Sequence, residues 1–133
     1  MVESVADRLL DAINKHDIDA LEACFAPMFE CDWPAHPARS FTGSKQVRRN
    51  WEAIFASHPT VQARIFGRAR THDDLWAEWE FMSDVDNGVK FWQRGVIIVK
   101  VEGDRIAQAR FYMEPVEWPR EADGVGGPSD PPR

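Results

Sequence analysis

The sequence has no hydrophobic run long enough to cross a bilayer, because no stretch of about 18 consecutive apolar residues occurs in it. Its first residues are charged and amphipathic, unlike the apolar centre of a signal peptide. Clusters of basic residues are scarce as well, and the net charge of −6 argues against a nucleic-acid-binding face. These absences predict a cytoplasmic protein that binds neither membranes nor nucleic acids.

The sequence has only two cysteines and lacks the common motifs of metal and cofactor sites. Cys24 and Cys31 form no CxxC motif and are expected to be reduced, partly buried thiols. The four histidines show no HxH or HExxH spacing, so no metal site is predicted. The motifs GxGxxG, Walker and GxSxG are also missing. The sequence therefore implies no cofactor.

Aromatic residues are abundant, with six tryptophans and eight phenylalanines against one tyrosine. Such flat apolar side chains suit either a pocket for an apolar ligand or a protein interface. Hydrophobic periodicity predicts that three helices come first, at 2–15, 17–25 and 44–58. Asp17 and Ser44 are the expected N-caps of the second and third helices.

Alternating patterns predict strands after and between these helices, at 29–33, 61–71, 75–82, 91–100 and 106–113. The last three strands are joined by glycine-containing hairpin turns, Asp86-Asn87-Gly88 and Glu102-Gly103-Asp104. We therefore predict an α+β fold, in which a curved antiparallel sheet is closed by three N-terminal helices into a cone with an internal pocket. This domain covers residues 1–118, and the Pro/Gly-rich residues 119–133 are predicted to be a flexible tail.

Alternation along the strands divides the sheet into two faces. The apolar set, which includes Ala69 and Ala107, is expected to face the helices. The other set, which includes Arg68 and Ile106, mixes charges with too many aromatic residues to be fully solvated. We predict that this convex face forms a homodimer interface. The residues assigned to the interface are Trp76, Trp92, Arg94, Arg110 and Tyr112.

Two glutamates and an arginine on the convex face allow two interpretations. Glu78 and Glu80 beside Arg94 could perform acid–base chemistry, since paired carboxylates near an arginine can exchange protons. The same residues also form the pattern of a cross-strand charge ladder, which stabilises a sheet by a few tenths of a kcal/mol per pair. We favour the ladder.

Several segments of the chain carry a family resemblance. They are Asp17-Ile-Asp-Ala-Leu21, residues 43–51, Trp79 with Glu80, and the block from Arg94-Gly-Val to Arg110-Phe-Tyr-Met-Glu-Pro-Val116. This layout resembles the nuclear-transport-factor-2-like superfamily, and most closely its SnoaL-like branch. The resemblance is specific for the fold and not for a reaction, because the superfamily includes isomerases, dehydratases, epoxide hydrolases, polyketide cyclases and plain binding proteins.

The resemblance also implies positions for the chemistry. Asp32 falls where ketosteroid isomerases keep their general-base aspartate, and scytalone dehydratases have an aspartate at a similar place. The oxyanion partners of the isomerase, however, map to Leu9 and about Ile97, which cannot donate hydrogen bonds. The residues of epoxide hydrolases map near Trp79, Phe81 and Phe111. The acid of the SnoaL cyclase also falls at an apolar position, so all three reactions are disfavoured.

The polar residues left inside the predicted cone suggest a base, Asp32, assisted by His36 four residues later. One hypothesis is an isomerase or lyase that acts on a mostly apolar substrate, with polycyclic molecules among the candidates. The residues expected to line its site are Trp33, Trp51, Phe55, Trp79, Phe81, Phe91, Gln93 and Phe111. Strict alternation would turn Asp32 outward if Trp33 points inward, unless the strand bulges. The alternatives are a non-catalytic ligand-binding domain and a dimerising scaffold filled by its own tryptophans.

Overall fold

The computed structural model describes residues 2–84, 91–119 and 129–130, and its helices lie close to the predicted positions. They are α1 (Val2–Asn14), α2 (Ile18–Ala23) and α3 (Ser44–Ser57). The Asp17 carboxylate caps α2 by accepting a hydrogen bond of 3.1 Å from the Ala20 N–H, as predicted. The third helix differs in one detail, because Gly43 takes the cap position and Ser44 is the first helical residue.

The main sheet has six strands, in the order β2-β1-β6-β5-β4-β3. These are β1 (Phe25–Asp32), β2 (Phe41–Thr42), β3 (Gln62–Arg70), β4 (Asp74–Met82), β5 (Trp92–Glu102) and β6 (Arg105–Pro115). All neighbouring strands are antiparallel except β1 and β6, which are parallel. The predicted α+β cone is confirmed, but its sheet is mixed rather than antiparallel. A parallel pair is possible here because a long stretch of helix and sheet connects β1 to β6 instead of a hairpin.

The first strand also begins earlier than predicted. Phe25 belongs to β1 and not to α2, and the β1–β6 register shifts between Phe25 and Glu30. Pro27 lies within this irregular part, where a missing N–H costs no ladder hydrogen bond. The second helix was predicted to continue to residue 25, yet it already ends at Ala23.

Two short strands near the C-terminus, β7 (Trp118–Pro119) and β8 (Ser129–Asp130), pair with each other. They lie where the flexible tail was predicted, and the rest of the tail, 120–128 and 131–133, is outside the described residues. The predicted turn Asp86-Asn87-Gly88 is also outside them. The second turn is confirmed, since Gly103 between β5 and β6 has a φ of 65°.

A bulge in β3 reverses the faces predicted for the end of this strand. The register with β4 shifts between Ile65 and Gly67, so that Arg68 pairs with Ala77 and Ala69 pairs with Trp76. Arg68 therefore lies on the helix side, where its guanidinium is 2.5 Å from the Asp7 carboxylate of α1. The assignment of Arg68 to the convex face was wrong, because one extra residue inverts every later side chain in the strand.

A second bulge, in β6, has the same effect. The register shifts after Lys100, and Ile106 then pairs with Val101. Ile106 is buried in the core, although alternation predicted it on the convex face, while Ala107 is half-buried. Ile106 therefore adds to the apolar inner face of the sheet, whereas Arg68 places a charge on the helix side near the end of β3.

The core lies between this inner face and the helices. The helical periodicity predicted for residues 2–15 is confirmed, because the apolar residues that form one stripe of α1 are all buried: Val5, Leu9, Ala12 and Ile13. In α3, Val47 is buried, whereas Trp51, Ile54 and Phe55 keep part of their surface accessible. That residual exposure in α3 indicates that the space beneath this helix is not completely filled.

We expect Gly95→Ala to destabilise the fold strongly. A Cβ atom at Gly95 in β5 would lie 2.0 Å from the Tyr112 carbonyl oxygen and 2.9 Å from the Met113 Cα, so the backbones of β5 and β6 would have to separate. A loss of at least about 2 kcal/mol in the free energy of unfolding is expected. Urea denaturation measures it.

The matched control is Gly67→Ala in β3, where a Cβ atom would meet nothing within 4 Å. This change should alter stability by less than about 1 kcal/mol. Equal losses in the two variants would contradict the close approach of β5 and β6 at Gly95.

Candidate functional site

An internal cavity of about 260 Å³ lies between α3, β1 and the inner face of the sheet. Its wall is mostly aromatic and aliphatic, and it contains fifteen residues: Phe25, Phe29, Cys31, Trp33, Arg39, Phe41, Val47, Asn50, Trp51, Ile54, Phe81, Phe91, Gln93, Phe111 and Met113. Phe29 and Met113 are completely buried, whereas Arg39 and Asn50 are exposed. The cavity therefore has an apolar interior, and its mouth lies near Arg39 and Asn50.

The wall near β1 depends on strand alternation. Phe29 and Cys31 point inward and are buried, while Glu30 and Asp32 are exposed. Just beyond the strand, Trp33 stacks on Phe111 of β6, with a distance of 5.0 Å between ring centroids and an interplanar angle of 13°. This aromatic pair forms one side of the cavity.

The opposite wall comes from α3. Val47, Asn50, Trp51 and Ile54 follow the helical spacing that places them on one face. The indole of Trp51 meets the ring of Phe81 edge to face at 5.1 Å. These two rings separate α3 from the backbone of the sheet, so space remains beneath the helix.

A second, smaller cavity of about 40 Å³ lies deeper, on the far side of Trp51 and Phe81. Trp79 belongs to its wall together with Leu9 and Ile97. This volume has room for about one water molecule. Leu9 and Ile97, which the resemblance predicts at the positions of the isomerase's oxyanion donors, are both buried there.

The structure gathers most of the predicted lining residues around the larger cavity. Six of the eight form its wall: Trp33, Trp51, Phe81, Phe91, Gln93 and Phe111. Trp79 lines the smaller cavity instead. Phe55 lines neither, because its ring stacks on His16 at 4.3 Å on the other side of α3. The role of these residues in ligand binding stays a prediction.

Asp32 lies on the outer face of β1, contrary to the orientation that a base inside the cavity requires. Asp32 is exposed, and its carboxylate accepts a hydrogen bond of 3.4 Å from the Ser40 hydroxyl. No bulge reverses the strand at this point, since Cys31 and Asp32 pair in regular register with Ala109 and Arg110. The alternation that points Trp33 inward therefore turns Asp32 outward.

His36 does not pair with Asp32 either. Its Nε2 is 2.8 Å from a carboxylate oxygen of Glu114 at the end of β6, and its ring lies 6.4 Å from that of Trp33. The predicted relay between Asp32 and His36 does not form, because the two side chains have different partners. Another histidine, His58, is the C-cap of α3 and stacks on Phe91 at 4.8 Å.

Sequence reasoning missed three polar groups of the wall, namely Cys31, Arg39 and Asn50. Asn50 could have been found from helical spacing, because it lies three residues after Val47 and four before Ile54. The position of Arg39 was not accessible in this way, since it belongs to a single 3₁₀ turn, Pro37–Arg39, in a proline-rich loop. Its guanidinium carbon lies 5.0 Å from the centre of the Trp33 ring.

Burial decides the state of the thiol in the wall. Desolvation raises the pKa of Cys31 to about 12, a hydrogen bond with Trp33 opposes this rise, and the negative charge of Asp32 adds to it. Burial also raises the pKa of Cys24. Cys31 is thus a neutral, weakly polar part of the wall at physiological pH and not an activated nucleophile.

Within the described ranges, no group of three or more His, Cys, Asp or Glu side chains is arranged to hold a metal ion. No helix in that same part of the chain is both long and apolar enough to cross a membrane.

The comparisons with known proteins point to one family and one fold. The sequence matches the SnoaL-like domain over residues 6–109. Among curated proteins, none matches it. Similar solved structures include IdmH, a proposed polyketide cyclase from Streptomyces antibioticus, with a TM-score of 0.73 and 16% identity over 86% of this chain and 92% of that chain.

Two further solved structures share the fold, with similar TM-scores and sequence identities. RV0760c from Mycobacterium tuberculosis, solved in complex with estradiol-17beta-hemisuccinate, has a TM-score of 0.69 and 16% identity over 84% of this chain and 92% of that chain. A SnoaL-like protein of unknown function from Burkholderia thailandensis has a TM-score of 0.68 and 19% identity over 85% of this chain and 94% of that chain.

We predict that Cys31 resists alkylation in the folded protein. A Cys24→Ala variant leaves Cys31 as the remaining thiol, and iodoacetamide at pH 8 should label it at least about a hundredfold more slowly than the same variant in urea, because little thiolate forms when the pKa is near 12. The raised pKa also has a consequence for stability. The buried Cys31 thiol contributes fully to the free energy of unfolding below about pH 9, and this contribution decreases as the pH rises toward 12. Rapid labelling of the folded variant would contradict the burial of Cys31.

Proposed function

The chain belongs to the SnoaL-like domain family, and on that basis we propose that it binds a small, mostly apolar molecule in the cavity beneath α3. The observation that carries this proposal is the aromatic wall around an unfilled volume of about 260 Å³. Protein interiors are normally packed to the density of organic crystals, so an empty volume of this size costs stability, and a bound molecule would restore the missing contacts.

The size of the cavity limits the ligand. Sites for drug-sized ligands enclose roughly 300–1,000 Å³, and this cavity lies just below that range. A molecule with one or two fused rings suits the interior, and a larger polycyclic molecule would extend through the mouth. The steroid derivative bound to RV0760c supports the capacity of this fold to hold an apolar body.

The polar groups of the wall favour binding over catalysis. They are the Cys31 thiol, the Arg39 guanidinium and the side-chain amides of Asn50 and Gln93. None of them is a general base of ordinary strength, and Asp32 lies on the outer face of β1. We therefore propose a non-catalytic ligand-binding domain as the first function.

An isomerase or lyase is the second candidate, and one observation favours it. The contact between His36 Nε2 and the Glu114 carboxylate lies beside Trp33, and a neutral histidine oriented by a carboxylate can serve as a base. In this proposal the reacting carbon of the substrate would remain at the mouth of the cavity. Asp32 would not contact it.

Filling the cavity should abolish binding. We expect Ile54→Trp to weaken the binding of the neutral fluorescent dye prodan by at least about tenfold, because the larger ring occupies the space beneath α3. The blue shift of prodan emission measures the affinity. Asp32→Asn, which alters the outer face of β1, should leave the affinity unchanged.

The matched control for this experiment is Ala53→Trp, which places the same side chain on the exposed side of the same helix. This variant should bind prodan as the parent protein does. If Ile54→Trp also binds with full affinity, the dye does not occupy the cavity, and the proposed function loses its support.

We further propose that the convex face of the sheet joins two copies of the chain. Phe66, Trp76 and Tyr112 are each about 40% exposed on this face. Beside them Arg94 lies 3.8 Å from the centre of the Phe66 ring and donates to the Glu78 carboxylate at 3.1–3.2 Å. Exposed aromatic rings beside charges of both signs can complement a second copy of the same surface around a twofold axis.

The other members of the proposed interface differ in how accessible they are. The Trp92 indole is half-buried and donates to the Glu80 carboxylate at 2.8 Å, and Glu80 itself is buried. Arg110 is half-buried as well. The glutamates of this face thus have cross-strand partners, as expected for a ladder, and Trp76 and Tyr112 keep accessible aromatic surface.

Trp76→Glu should convert a dimer to a monomer, since two buried carboxylates would face each other across the axis. Light scattering should then give the chain mass of 15.2 kDa for the variant and twice that for the parent protein. Ala53→Glu adds the same charge on α3 and should remain dimeric. A parent protein that is monomeric, or a dimeric Trp76→Glu variant, would refute this interface.

A further inference from the structure

We propose that the ligand of the cavity is an apolar carboxylic acid, whose carboxylate binds to Arg39 at the mouth. This inference rests on the proposed function and names the class of molecule that the cavity selects. Arg39 has three properties that favour such a ligand. Its backbone is held in one position, its guanidinium lies over the aromatic wall, and no carboxylate of the described residues pairs with it.

The backbone around Arg39 is held in place by local hydrogen bonds. The Arg39 N–H donates to the His36 carbonyl at 2.9 Å, and the Ser40 N–H donates to the Pro37 carbonyl at 3.0 Å. The Ser40 hydroxyl in turn accepts from the Trp33 N–H at 2.9 Å. Two prolines within the loop further restrict its backbone. The loop therefore presents Arg39 from one position, which reduces the entropy lost on binding.

The guanidinium of Arg39 is placed over the aromatic wall. It lies 5.0 Å from the centre of the Trp33 ring, and that ring stacks on Phe111 at 5.0 Å. A guanidinium that contacts an aromatic face keeps the N–H groups along its edge available. These donors match the two oxygens of a carboxylate.

Three other arginines have carboxylate partners, whereas Arg39 has none among the residues that the structure describes. Arg48 is 2.9 Å from Glu22, Arg68 is 2.5 Å from Asp7, and Arg94 is 3.1 Å from Glu78. Around Arg39, no carboxylate of the described residues lies within 4 Å of the guanidinium.

Two acidic residues that contact neighbours of Arg39 in its loop are already engaged. Glu114 pairs with His36 at 2.8 Å, and Asp32 accepts from Ser40 at 3.4 Å. The positive charge of Arg39 thus lies at the entrance of an apolar cavity and has no carboxylate partner in the described part of the chain.

The arrangement also sets the direction of the ligand. Phe29 and Met113 at the buried end offer only apolar surface, while Asn50 at the mouth adds amide donors near Arg39. An apolar ring would enter first, and its carboxylate would remain at the mouth. A neutral molecule of the same shape would gain the apolar contacts but not the charge-assisted hydrogen bonds.

Two matched probes, naphthylacetate and naphthylacetamide, separate these contributions, because they share the ring and differ in the charge of one group. Calorimetric titration of the parent protein should show that the acid binds at least about tenfold more tightly than the amide, which corresponds to about 1.4 kcal/mol. Arg39→Gln should remove this preference by weakening the acid alone. Arg39→Lys should keep part of the preference for the acid, since lysine retains the positive charge but lacks the paired N–H donors of the guanidinium.

Arg49→Gln is the control, because it removes the same charge from the exposed side of α3, where Arg49 donates to Gln46. It should leave the preference for the acid intact. Equal binding of the two probes to the parent protein, or a preference that survives Arg39→Gln, would overturn the inference while the proposed function stands. Binding of neither probe would refute the proposed function, and the inference with it.

Discussion

The cavity depends on the curvature of the sheet, and that curvature comes with three irregularities in strand pairing. The register shifts in β1 after Phe25, in β3 after Ile65, and between β5 and β6 after Lys100. Each extra residue bends its strand and increases the local twist. A flat sheet of the same strands would let α1 and α3 pack against it directly, and no space would remain between them.

The aromatic residues serve as core and as cavity wall at once. Trp33 with Phe111 and Trp51 with Phe81 support each other through their rings, so they keep their positions around an unfilled volume. Burial of a large apolar side chain stabilises a protein by about 1.5–3 kcal/mol, and a ring that faces a cavity gains only part of this. A bound apolar molecule would supply the missing contacts. The abundance of tryptophan and phenylalanine in the sequence therefore agrees with the proposed binding function.

Local patterns predicted the elements well, and their failures have a common cause. The α1 stripe, the Asp17 cap and the Gly103 turn each depend on neighbours in the chain, and each is confirmed. The sides of Arg68 and Ile106 were wrong, because a bulge near each of them inverts the alternation and leaves no clear mark in the sequence. Most predicted lining residues do surround the cavity. Asp32 and His36 were joined by proximity in the chain, yet each has another partner.

The sequence by itself determined the order of helices and strands, the aromatic character of the interior and the resemblance to the SnoaL-like fold. These follow from periodicity, capping and turn chemistry, which act over a few residues. Only the tertiary structure decided that β1 runs parallel to β6, that Asp32 faces outward and that Arg39 reaches the mouth of the cavity. Such features depend on contacts between residues far apart in the chain, where a shift of one residue in a strand exchanges the inside for the outside.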